Sequence, residues 1–163
     1  MAEQVQVLFV CLGNICRSPL AEVVVRERAR LKGLEDMFEF QSAGTGNWHV
    51  GNPADHRSAA TAARHGLDLS EHRAQQITAG RTHYWDWFVA MDAANYQDLL
   101  RMGVPAERLL MMRQFEAEGG PVADVPDPYY GGPDGFEDAY HMLCENADHL
   151  LDYLGEVALQ GAR

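Results

Sequence analysis

The sequence predicts an α/β protein: one domain spanning 1–163, built on a four-stranded parallel sheet with helices on both faces. Three observations carry this. Short β-branched apolar runs alternate along the chain with stretches of helical periodicity, the pattern of a sheet with helical crossovers. The 163 residues are 47% hydrophobic and 23% charged, which is ordinary globular composition, and a chain of this length buries roughly two-thirds of its unfolded surface. No repeat, low-complexity tract or shift in composition marks a second domain.

Val5 to Val10 is short, β-branched and apolar, and a Gly-containing loop stops it, so it reads as a buried strand. From Pro19 to about Lys32, Leu20, Val23, Val24 and Leu31 share one helical face while Arg26, Glu27, Arg28 and Arg30 share another. Phe38 to Ala43 is the second strand, followed by a loop rich in Gly and Asn. Ala59 to His65 reads as a short helix stopped by Gly66. Trp87 to Met91 is the third strand, and Asp92 is placed to cap a helix running from Ala93 to Met102. Arg108 to Met112 is the fourth strand. The Pro/Gly/Asp-rich segment 116–135 is too interrupted to be an element, and loops of such length are more often functional than idle. Phe136, Ala139, Tyr140, Leu143, Ala147, Leu150, Leu151 and Leu154 then outline one long amphipathic helix.

The net charge of −11 argues against a nucleic-acid partner, which needs a basic surface to displace counterions. It also argues against attachment to anionic lipid. The N-terminus lacks the charged and apolar regions of a signal peptide, and no apolar run approaches the ~20 residues needed to span a bilayer. A cytoplasmic protein without membrane insertion is expected. Cys11, Cys16 and Cys144 are an odd number for a disulfide scaffold, which suits reduced thiols. The seven histidines show no metal spacing, so neither metal nor cofactor is expected.

The chemistry concentrates in VCLGNICRSP, at the carboxyl end of the first strand, where ligands of parallel sheets sit. Pro19 suits a first helical position and Ser18 a cap, which puts Arg17 beside the positive end of a helix dipole. That placement becomes favourable when an anion occupies the space. Gly13 and Asn14 tolerate positive φ and let successive N–H groups turn inward as an anion nest. The same field stabilises a thiolate at Cys11. The residues therefore read as an oxyanion site with an activated cysteine nucleophile.

VCLGNICRSP, SAGTGNWHVG, DHRSAATAARHGL, EHRAQQIT, MDAANYQDL and DPYYGG, in that order and spacing, resemble the low-molecular-weight protein tyrosine phosphatases over essentially the whole chain. The resemblance implies strand order 2-1-3-4, flavodoxin-like, and hydrolysis of phosphotyrosine and small aryl phosphates through a phosphocysteine on Cys11. It implies that Arg17 holds two phosphoryl oxygens, and that the loop from Leu12 through Gly13, Asn14, Ile15 and Cys16 to Ser18 binds the rest. Ser18 would also donate to the Cys11 thiolate. Asn14 would be braced by Ser42 and His72, and Asp127 would be the general acid and base. Trp48, Tyr129 and Tyr130 would wall the aromatic ring, with Leu12 and Ile15 in the same cleft. Cys16 would protect Cys11 through a reversible disulfide. The implied partner is a tyrosine-phosphorylated protein, met by a monomer. His65 and His72 are expected to bond to acids such as Asp55 or Asp92, and Cys144 to be structural.

Two other readings compete. A thioredoxin-coupled arsenate reductase of the same fold needs a relay pair of cysteines, and the region from His72 to Met102 contains none. A non-catalytic phosphotyrosine-binding or redox-sensing module would have no use for Asp127.

Overall fold

The computed structural model describes residues 4–116, 120–130, 132 and 134–161. Its elements are β1 (Val5–Cys11), α1 (Arg17–Leu31), β2 (Phe38–Gly44), α2 (His56–Arg64), β3 (Trp87–Ala90), α3 (Ala93–Arg101), β4 (Leu109–Met111) and α4 (Gly135–Gly161). All strand pairs are parallel and the order is β2-β1-β3-β4.

The alternation of side chains along each strand splits the apolar residues into two layers. Val7, Phe9, Val89, Met91 and Leu110 face the seams of α1 and α4, including Leu20, Val24, Leu143, Leu150 and Leu154. Leu8, Val10, Phe88, Ala90, Leu109 and Met111 face the other way, against Leu99 of α3, with Ile77 and Val104. Where both faces are covered, β3, β4 and most of β1 are near-continuous apolar runs, whereas the edge strand β2 alternates, with Glu39 and Gln41 partly exposed between Phe38, Phe40 and Ser42.

Differences from the sequence reading lie at helix ends. α1 begins at Arg17, with Cys16 at the cap position and no side chain bonded to the first turn. Ser18 does not cap it, because its hydroxyl is turned to Cys11 and Asn14. α2 begins three residues before Ala59, since the Asp55 side chain accepts from Arg57 N at 2.8 Å and caps it. Asp92 caps α3 in a reciprocal box with Asn95. α4 continues past Leu154, where the apolar seam ends, to Gly161. Its Tyr140, pushed up to about 12 by burial and by the neighbouring Cys144, lines with that half-buried thiol a groove between α1 and α4.

Candidate active site

β1 ends in Cys11 and the chain turns at once into α1, so five residues form a tight loop over the helix N-terminus. Asn14 is the pivot. Its φ of +58° is left-handed, a region that costs most side chains strain and that Asn tolerates best after Gly. The conformation is held by a complete set of bonds. Asn14 Nδ2 donates to Ser18 Oγ (2.9 Å) and Ser42 Oγ (3.0 Å), Gln75 N donates to Asn14 Oδ1 (2.9 Å), and His72 Nε2 donates to the Asn14 carbonyl (2.7 Å). A carbonyl only accepts, so Nε2 of His72 carries the proton.

Two hydroxyl relays leave Asn14. Ser42 accepts from Asn14 and donates to Glu22 Oε1 at 2.8 Å, while the other Glu22 oxygen pairs with Arg26. Ser18 accepts from Asn14 and sits 2.9 Å from Cys11 Sγ. Ser18 Oγ has two acceptors within reach, the sulfur at 2.9 Å and the Ala43 carbonyl at 3.5 Å, and the sulfur is the nearer. Asn14 N reaches the same sulfur at 3.3 Å.

Arg17 is 2% exposed. Its Nη1 donates to Asp92 Oδ2 (2.7 Å) and the Val125 carbonyl (3.0 Å), and Nη2 lies 3.7 Å from Asp127 Oδ2. Burial opposes its charge, but Cys11, the Asp92 bond and the Asp127 carboxylate outweigh that and hold it above the ordinary arginine value. Asp92 thus serves two sites, capping α3 with one oxygen and fixing Arg17 with the other.

Above the loop is a cavity of about 390 Å³ lined by Cys11, Leu12, Gly13, Ile15, Cys16 and Arg17, with Trp48, His49, Asp127 and Tyr129 on its walls. Asp127 Oδ1 accepts from Tyr129 N at 3.0 Å, which turns Oδ2 toward Arg17. Trp48 is 69% exposed and stands at the rim; a Cβ on Gly46 would lie 1.9 Å from its ring, so any larger residue there would have to displace the indole. A larger groove of about 910 Å³ between α1, β2 and residues 66–75 contains neither Cys11 nor Arg17. Burial, with the charges of Asp55 and Cys11, pushes the Cys16 thiol far up, so Cys16 stays protonated.

The structure brings Cys11, Leu12, Gly13, Asn14, Ile15, Cys16, Arg17, Ser18, Ser42, His72, Trp48, Asp127 and Tyr129 to one end of the sheet. The Tyr130 side chain lies outside the described residues. The histidine partners differ from expectation: His72 bonds a backbone carbonyl of the loop, His65 bonds Glu137 (3.0 Å), and Asp55 and Asp92 are taken by Arg57 and Arg17. Charge decides this, because a buried carboxylate is better matched by a guanidinium fork than by a neutral ring. Sequence reasoning missed Glu22, Gln75, His49 and the Arg17 role of Asp92. Only Asp92 left a signal, as a helix cap, and its second oxygen is committed by an element 75 residues away. Among the described residues there is no group of three metal-ligating side chains, and no helix is long and apolar enough to cross a membrane.

Fold and site together define a doubly wound α/β protein with a tight cysteine–arginine loop at the carboxyl end of its first strand. The family model described as Low molecular weight phosphotyrosine protein phosphatase matches residues 6–159, and the chain belongs to that family. A Streptomyces coelicolor low molecular weight protein-tyrosine-phosphatase is 46% identical over 151 residues, covering 90% of this chain and 91% of the relative. Low molecular weight protein-tyrosine phosphatase A of Mycobacterium tuberculosis is 42% identical over 158 residues, 96% and 95% of the two chains. The crystal structure of YfkJ from Bacillus subtilis superposes with a TM-score of 0.86 at 35% identity, covering 95% and 97%.

Proposed function

We propose that this protein hydrolyses phosphotyrosine on protein substrates through a phosphocysteine on Cys11. The observation that carries the reading is a sulfur hydrogen-bonded to Ser18 Oγ and Asn14 N at the floor of a cavity that also contains the Arg17 guanidinium and the Asp127 carboxyl group. The names of the relatives at 42% and 46% identity favour phosphatase chemistry over arsenate reduction or mere binding.

In the first step the Cys11 thiolate attacks phosphorus in line with the ester oxygen. The S–P bond forms, the P–O bond breaks, and protonated Asp127 gives its proton to the leaving phenolate. In the second step Asp127, now a carboxylate, takes a proton from water, whose oxygen attacks phosphorus. The P–S bond breaks, inorganic phosphate leaves, and the Ser18 hydroxyl stabilises the returning thiolate. Loop N–H groups and Arg17 carry the equatorial oxygens, where charge is greatest in transit. Leu12, Ile15, Trp48 and Tyr129 favour an aryl over an alkyl ester by shape, and Tyr130 is proposed to extend that wall. The enzyme is proposed to act in the cytoplasm as a monomer.

Hydrolysis of an aryl phosphate tests this. Cys11→Ser should abolish turnover, and Asp127→Ala should lower kcat by about 10²–10⁴-fold. Unchanged turnover in Cys11→Ser would end the proposal.

Cys16 is proposed as the guard of Cys11: peroxide oxidises the thiolate to a sulfenic acid, and the Cys16 thiol condenses with it, forming the disulfide and releasing water. Since burial keeps Cys16 protonated, condensation should quicken as pH rises. Peroxide-treated wild type should recover with a thiol reductant and Cys16→Ser should not; equal recovery removes the guard role.

A further inference from the structure

The segment that carries Asp127 is anchored at two places. Its inner end is tied to the sheet: Val125 N donates to the Met91 carbonyl (2.8 Å), the Val125 carbonyl accepts Arg17, and Asp124 Oδ1 accepts Ala93 N (3.0 Å). Its outer end is the single turn Pro128–Tyr130. There Arg57 of α2 donates from Nη1 to the Tyr129 carbonyl at 3.3 Å, with its guanidinium 5.1 Å from the centre of the Tyr129 ring and 4.8 Å from that of Phe136. Asp127 lies between the anchors with a side chain 34% exposed, its carboxylate accepting from Tyr129 N at 3.0 Å and facing Arg17 at 3.7 Å, so the placing of Tyr129 bears directly on it.

Arg57 is itself held. Asp55, only 8% exposed, takes it in a two-point grip: Nε to Oδ1 at 3.1 Å and Nη2 to Oδ2 at 3.0 Å. Burial would raise the Asp55 carboxyl, but the Arg57 bonds outweigh it and keep it below the ordinary aspartate value. The same first turn of α2 grips the cysteine loop, because Asp55 N donates to the Ile15 carbonyl (2.8 Å) and Ser58 Oγ to the Cys16 carbonyl (3.0 Å). One rigid helix end therefore touches both halves of the site.

We infer that Arg57 is a positioning residue for Asp127, setting the carboxyl group's height over Cys11 through the Tyr129 peptide and ring. The inference rests on the reading of Asp127 as general acid. An arginine suits the task because one planar group serves a carboxylate, a carbonyl and two aromatic faces at once; a lysine cannot hold the two-point grip. A surface ion pair alone would matter little. What gives this one leverage is the distance sensitivity of proton transfer, where a displacement of about 1 Å costs up to about 10²-fold.

The test compares two esters. Phenyl phosphate leaves as a basic phenolate that needs the proton, whereas p-nitrophenyl phosphate leaves as a stabilised anion that needs it less. Arg57→Gln should lower kcat/KM, which reports only the step in which the phenol leaves and not the hydrolysis common to both esters, about tenfold for phenyl phosphate and no more than about threefold for p-nitrophenyl phosphate. In an Asp127→Ala background the same change should have no further effect on either ester, as expected for two residues acting as a unit. Asp55→Asn, which loosens Arg57 without removing it, should show a milder version of the same selectivity and keeps the test available if Arg57→Gln folds poorly. Equal losses for both esters, or a full additional loss in the Asp127→Ala background, would overturn the inference. If Asp127→Ala itself fails to discriminate the esters, the acid assignment falls instead.

Discussion

Asp92→Asn separates the two tasks of one carboxylate. Asparagine is as good an N-cap as aspartate, so the bond to Asn95 N at 2.8 Å survives. The charge facing Arg17 does not. The pair is deeply placed, with side chains 3% and 19% exposed and an N–O distance of 2.7 Å. Removing one partner of a buried pair costs about 3–5 kcal/mol, because the remaining charge is left without compensation. Arg17 retains the Val125 carbonyl at 3.0 Å and Asp127 at 3.7 Å, which puts the expected loss near the low end, about 3 kcal/mol. For a chain of this length that lowers Tm by about 6–12 °C, measured by circular dichroism in phosphate-free buffer with a matching urea titration. Turnover of an aryl phosphate should fall as well, since the fork is no longer aimed. Asp98→Asn on the same helix is the control: its partner Arg101 is 73% exposed, and such pairs contribute about 0–1 kcal/mol. If the Asp92 and Asp98 variants unfold at the same urea concentration, Arg17 does not depend on Asp92 and the account of the inner wall is wrong.

Two further outcomes are expected. A Cβ at position 44 would lie 2.6 Å from the Leu12 carbonyl and 3.2 Å from Asn14 N, both backbone, so Gly44→Ala must push the cysteine loop; turnover should drop by about 10²-fold with a stability loss of about 1–3 kcal/mol, and wild-type turnover would show that the loop has slack. Arg113 holds Glu116, and His65 with Arg64 holds Glu137, below the ordinary value of 4.5, while Arg57 holds Asp55 below 3.8. Depressed carboxyl groups stabilise the fold fully above their unfolded values and lose that contribution as pH falls through the lower folded ones. Tm should therefore be flat from pH 7 to about 5 and fall below that, with a shallower acid slope in Arg113→Gln; an identical slope would remove the Arg113–Glu116 pair from the explanation.

β1, β3 and β4 were legible because burial on both faces makes them short apolar runs, the edge strand β2 because Phe38 and Phe40 alternate with Glu39 and Gln41, and α4 because its seam repeats over many turns. Helix starts were less so. The sequence reading began α2 at its first apolar residues, while the Asp55 cap starts it earlier at His56. Ser18, a plausible cap, was drawn off by two buried partners that lie outside its own helix. The causes differ: the Asp55 cap is a local bond to the N–H two residues on, which an apolar pattern does not mark, whereas the Ser18 hydroxyl is turned to partners in the cysteine loop.

The spacing of Cys11, Arg17 and Ser18, the glycine and asparagine that permit the turn, and the run of Asp127 with Tyr129 and Tyr130 were all determined by the sequence, because each depends on neighbours within a few residues. Only the tertiary structure decided what holds them. In the parallel sheet β1 lies beside β3, with Val10 opposite Ala90, so the segments leaving the two strands emerge together and Asp92 meets Arg17 across 75 residues. Likewise β2 beside β1 delivers Ser42 to Asn14, and α2 delivers Arg57 to Tyr129. A strand order is a global solution to burying two apolar faces, and it is this order that selects which distant carboxylate, hydroxyl or guanidinium each loop residue finds.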